Sequence, residues 1–140
     1  MNILHIIDGF KLGGIETQAL EIIDNFPRRG NKNFLFNTSP EVKDLKKEFT
    51  YLLRKKRLQK IEELNTKSSL LLIYKIFFFC KKNMIDSLII YPCNKKMLPV
   101  ILGAKLAGIN NIFVHIGNTF NNNKRIQLIK IKIIFKLFAL

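Results

Sequence analysis

The segment most able to do chemistry is Gly9-Phe10-Lys11-Leu12-Gly13-Gly14-Ile15-Glu16. It follows the apolar block Ile3–Ile7 and precedes the row Ile15, Ala19, Ile22, Ile23 and Phe26. The block reads as a strand buried on both faces, and the row as one face of a helix. A glycine-rich turn in that position exposes the free N–H groups of a helix N-terminus, which attract anions. Adjacent glycines also let a ligand approach the backbone. The spacing matches neither the dinucleotide fingerprint nor the Walker loop. The plain alternative is a flexible turn with a tight helix–strand contact. The second candidate is His115, near the end of the apolar block Asn111–Ile116. Its imidazole can donate one hydrogen bond and accept another, or it can be a buried side chain satisfied by backbone. His5 lies mid-block between Leu4 and Ile6, where a structural role is expected.

Other chemistries are poorly served. Cys80 and Cys93 with His5 and His115 make no metal spacing, and two cysteines cannot form a disulfide scaffold. No pair of carboxylates suggests a general acid and base. Glu16 falls in the first helical turn, where a carboxylate is favourable in any case. Metal independence and the absence of a resident cofactor are therefore expected.

The elements that must position these groups can be read along the chain. Asn33–Thr38 and Asp86–Tyr91 read as further strands, the latter closed by Pro92 with Tyr91 and Asn94 beside it. The charged stretch Glu41–Asn65 reads as one or two amphipathic helices. Ser68 or Ser69 can cap a helix through Leu70–Lys82, and Lys96–Ala107 is helical in period with Gly108 as a C-terminal cap. An Asn-rich turn at 121–123 opens a last helix to Leu140. The order β α β α α β α β α predicts a three-layer, Rossmann-like α/β domain with a parallel sheet and helices on both faces. One domain over 1–140 is expected. Its final apolar helix with no strand after it suggests a sheet incomplete at the C-terminus.

Composition bounds the rest. Of 140 residues, 24 are Lys or Arg and 10 are Asp or Glu, a formal charge of +14. Ile 21, Lys 19 and Asn 14 exceed a third of the chain and share A/T-rich codons, which discounts part of that charge. Basic residues concentrate in 41–82 (12 basic, 5 acidic) and in 124–140 (5 basic, none acidic). No nucleic-acid motif fits. Helices mixing Lys with Ile, Leu and Phe can lie on an anionic membrane surface, or they can be solvated faces in a lysine-rich protein. The N-terminus lacks a secretory signal, and the run Leu70–Cys80 is too short to span a bilayer.

Two regions carry a resemblance. Asn2–Phe26 (NILHIIDGFKLGGIETQALEIIDNF) and Pro99–Thr119 (PVILGAKLAGINNIFVHIGNT) resemble the opening and a later segment of family 4 glycosyltransferases. The shared features are the Gly-Gly before a glutamate and, later, a helix ending Ala-Gly before a strand ending in His. The resemblance implies the N-terminal, acceptor-side domain of a GT-B enzyme, truncated, with no C-terminal donor domain in this chain. It implies sugar transfer with retention from a nucleotide-sugar to a glycan or lipid-linked hydroxyl acceptor, as in polysaccharide biosynthesis. It also implies that Gly13 and Gly14 approach the donor phosphates and that His115 contacts the transferred sugar. Asn118 and Thr119, and likewise Tyr91 and Asn94 beside Pro92, either bind sugar hydroxyls or make the turn. A cytoplasmic protein follows, peripheral at the inner membrane face and completed by a separate donor domain; nucleic acid is not an expected partner. The rival expectation is a non-catalytic fragment or a basic membrane-surface binding module.

Overall fold

The computed structural model describes residues 1–25, 30–91 and 94–115. Five strands and four helices alternate along them: β1 (Asn2–Ile7), α1 (Gly14–Asn25), β2 (Lys32–Asn37), α2 (Lys46–Arg54), β3 (Leu58–Glu63), α3 (Ser69–Lys82), β4 (Ser87–Ile90), α4 (Met97–Leu106) and β5 (Asn111–Val114). All strand pairs are parallel, in the order β3-β2-β1-β4-β5. Helices cover both faces, so the three-layer Rossmann-like expectation holds. The helix expected after 121 lies outside the described residues.

Alternating side chains separate two cores. On one face Leu4, Ile6, Phe34, Phe36, Leu88 and Ile90 pack under α3 and α4. On the other, Ile7, Leu35 and Leu58 pack with Ala19 and Ile23 of α1 and Phe49 and Leu52 of α2. Near-continuous apolar runs in β1 and β2 are what a strand buried on both faces requires.

One expectation is corrected. The stretch 41–65 is not helical throughout: α2 ends at Arg54, and Leu58–Glu63 forms the edge strand β3 beside β2. The helix stops through a Schellman turn: the N–H of Lys56 donates to Leu53 O (3.1 Å) and that of Arg57 to Leu52 O (2.9 Å). Lys56 holds φ at 58°, a region glycine normally fills. Charges on β3 pair locally, Lys60 with Glu62 at 2.7 Å, as suits an edge strand that must not recruit another chain. Substituting Lys56→Gly should raise stability by about 0.5–1 kcal/mol, because it relieves a left-handed L-residue at a smaller backbone-entropy cost. A higher urea midpoint at unchanged slope is the expected reading, and a lower midpoint would contradict it.

The other caps follow the sequence. Ser68 Oγ accepts the Leu71 N–H at 3.3 Å and starts α3. Gly108, with φ at 88°, follows α4 in a second Schellman turn.

Candidate functional site

The strand order reverses direction between β1 and β4, since β2 and β3 lie on one side of β1 and β4 and β5 on the other. Ligands of open parallel sheets bind outside the carboxyl ends of the strands at such a switch point. The loops after β1 and β2, the described residues after β4, and His115 after β5 emerge on this rim.

Gly13 and Gly14 stand there at the start of α1. The first helical bond runs from the Thr17 N–H to Gly13 O (3.0 Å), so the amides of Gly14, Ile15 and Glu16 have no intrahelical acceptor. Neither glycine is required by the fold. A Cβ on Gly13 would meet one atom, the mobile Oε2 of Glu16 at 3.1 Å, and a Cβ on Gly14 would meet nothing within 4 Å. Neither has the positive φ that only glycine tolerates easily. The alternative of a tight helix–strand contact is thus unsupported at both positions.

His115 follows β5 on the same rim, with its N–H donating to Ile90 O at 2.8 Å. Its Nε2 lies 2.6 Å from Oε1 of Gln18, one turn into α1 from Gly14. The glycine pair and the imidazole are therefore joined through one helix. The Tyr91 ring packs against His115 at a centroid distance of 5.7 Å. Asn118 and Thr119 lie outside the described residues.

His5 is structural, as expected. It is buried, with Nε2 3.3 Å from Asn33 Oδ1 and Nδ1 3.0 Å from the Tyr91 hydroxyl. Burial holds its pKa down at about 4, only partly opposed by the Asn33 hydrogen bond. Tyr91 does not face a ligand: it is buried with its hydroxyl turned to His5.

Sequence reading missed the polar cluster centred on Asp8. Asp8 Oδ1 accepts from Thr38 Oγ1 (2.9 Å), from the Ser39 hydroxyl and from Lys96 Nζ (3.3 Å). Its Oδ2 accepts from Asn94 Nδ2 at 2.7 Å. Lys96 Nζ also donates to Thr38 O (2.6 Å) and Ser39 Oγ (2.7 Å), which uses all three of its hydrogens. Burial pushes the Asp8 carboxyl up, but the bonds from Ser39 and Thr38 and the Lys96 charge outweigh it, so its pKa falls below 3.8. The cluster ties the ends of β1, β2 and β4 together. Every member lies at a strand's carboxyl end or in the loop that follows, and that was the available signal. Beside it is a cavity of about 450 Å³, bordered by Glu41, Thr66, Ser68, Lys95, Lys96 and Pro99.

No protein-family model and no curated protein matches the sequence. Two solved structures share its architecture. MurG from Acinetobacter baumannii superposes with a TM-score of 0.60 at 16% identity, over 91% of this chain and 38% of its own. The lipopolysaccharide outer core galactosyltransferase WaaB, in its apo form, gives 0.54 at 21% identity, over 81% of this chain and 32% of its own. Both are GT-B glycosyltransferases. The chain shares the fold of one part of these two GT-B structures. This chain spans 38% and 32% of the length of these two structures, respectively.

Proposed function

We propose that the chain is the N-terminal, acceptor-side portion of a family 4-like glycosyltransferase. The reaction moves a sugar from a nucleotide-sugar to a hydroxyl of a glycan or lipid-linked acceptor, with retention and without a metal. The observation that carries this reading is the convergence of the Gly13-Gly14 amides and His115 on one rim, with Gln18 between them. The free amides would stabilise charge on the departing diphosphate, a preorganised electrostatic contribution. His115 would bond a hydroxyl of the transferred sugar. The cavity beside Lys95 and Lys96 offers room on the acceptor side. In this reading residues 1–140 supply the acceptor side of the site, and a donor-binding domain completes it. The setting is the cytoplasm, at the inner face of a membrane.

The test is an amide-resolved NMR titration of the chain with a panel of nucleoside-diphosphate sugars. Shifts centred on Gly13, Gly14, Gln18 and His115 are expected. A Gly13→Trp variant keeps the fold but should bind at least about ten-fold more weakly, because the bulky ring covers the amides. Equal affinity in the variant, or shifts confined to another surface, would sink the assignment.

A further inference from the structure

His115 is held from two sides, and the two contacts leave its imidazole one role toward a ligand. Its Nε2 lies 2.6 Å from Oε1 of Gln18. A carbonyl oxygen can only accept, so the ring supplies the proton and Nε2 carries it. In a neutral imidazole the other nitrogen then holds a bare lone pair. Nδ1 of His115 has no hydrogen-bond partner among the described residues.

The ring is not free to turn and exchange its two nitrogens. Tyr91 packs against it at 5.7 Å between centroids and 46° between planes. Tyr91 is itself fixed: it is buried, its N–H donates to Ile6 O (3.1 Å) and its hydroxyl lies 3.0 Å from His5 Nδ1. The backbone of His115 is tied to the end of β4 through Ile90 O. Gln18 arrives from a different element, α1, whose inner side is anchored by Ala19 and Ile23 in the core. One helix therefore sets both where the free amides of its first turn stand and which edge the imidazole shows. Gln18 is exposed, and a solvated helix position tolerates most residues with little change in stability. Its bond to His115 is thus not a requirement of folding.

We infer that Gln18 is a positioning residue: it holds His115 in the Nε2–H tautomer and presents Nδ1 as a hydrogen-bond acceptor. The identity of the ligand, and that alone, rests on the transferase reading. A ligand must meet this nitrogen with a hydroxyl that donates. An ether oxygen, a fluorine or an ionised phosphate oxygen would set lone pair against lone pair. The sugar taken here therefore carries a free hydroxyl at the position that faces His115, and the site rejects one that is capped or deoxygenated there.

The experiment is NMR of the ring nitrogens in the whole chain without ligand, at a pH where imidazole is neutral. The chain has two histidines, and a His115→Asn control identifies the signals of His115. A single Nε2–H tautomer with a slowly exchanging ring proton is expected. Gln18→Met should release it to mixed tautomers and speed that exchange several-fold, at unchanged circular dichroism. Gln18→Glu, whose carboxylate still accepts, should restore the single tautomer. An Nδ1–H ring in the wild type, or a methionine variant with the wild-type spectrum, would overturn the inference. The second readout is calorimetry with UDP-glucose, UDP-galactose and GDP-mannose and, for any that binds, its monofluoro analogues. One analogue should bind about ten-fold more weakly than its parent, and Gln18→Met should shrink that ratio several-fold. Analogues that all bind like the parent, or a ratio that the methionine leaves unchanged, would also overturn it. Binding of none of the three sugars would count against the transferase reading, and the ligand-free spectrum would still decide the role of Gln18.

Discussion

Between pH 7 and pH 4 the protein should lose about 3 kcal/mol of stability that a His5→Gln variant does not lose. His5 is 1% exposed, and burial lowers its pKa from 6.5 to about 4. The unfolded chain therefore binds a proton first as pH falls. Stability drops progressively from about pH 6.5 and levels off below about pH 4, where both states are protonated. The geometry explains the resistance to charging. The neutral ring donates from Nε2 to Asn33 Oδ1 and accepts the Tyr91 hydroxyl at Nδ1, so both nitrogens are already used in the uncharged form. A proton on Nδ1 would face the hydroxyl hydrogen inside a desolvated strand. Asp8 acts in a separate window: its folded pKa lies below 3.8, so its contribution is lost only at more acid pH. Urea unfolding at a series of pH values reads the difference directly. Parallel pH profiles for wild type and variant would show that His5 is not desolvated as described.

The same residue illustrates what was legible in advance. His5 between Leu4 and Ile6 reads as buried because a strand covered on both faces leaves no solvent side. The strands β1, β2, β4 and β5 and the helices α1, α3 and α4 are likewise visible, since each is apolar or periodic and bounded by turn residues. β3 is hidden for two physical reasons. Its sequence, Leu-Gln-Lys-Ile-Glu-Glu, carries edge-strand charges that resemble a helix face. The turn before it uses Lys56 where glycine would have announced a helix end. Tertiary pairing with β2, not local propensity, decides the strand.

The site divides in the same way. Gly13, Gly14 and His115 can be found because backbone access and imidazole chemistry depend on residue type and on position at a strand end. Gln18 cannot, because an exposed glutamine on a helix has no local signature; only the packing of α1 beside the end of β5 brings it to His115. Asp8, Thr38, Ser39 and Lys96 are each ordinary turn or helix-entry residues. Their meaning comes from a sheet order that joins residues 8, 38 and 96 at one point, and no spacing along the chain encodes that order.

Glycines separate positions kept for access from positions kept for packing, and Gly103 is of the second kind. A Cβ there would fall 2.6 Å from the Ile73 carbonyl oxygen and 2.9 Å from Ile76 Cβ, both on α3. The first contact is with backbone, so no rotamer change relieves it; α3 or α4 must move. Gly103→Val should therefore cost about 1–3 kcal/mol, the usual range for overpacking a dense core. Alanine is the milder test, because removing a mid-helix glycine returns about 0.5–1 kcal/mol and offsets part of the clash. The expected order of urea midpoints is wild type, then alanine at or below it, then valine clearly lowest. A valine variant as stable as wild type would mean that α3 and α4 lie farther apart than these contacts require.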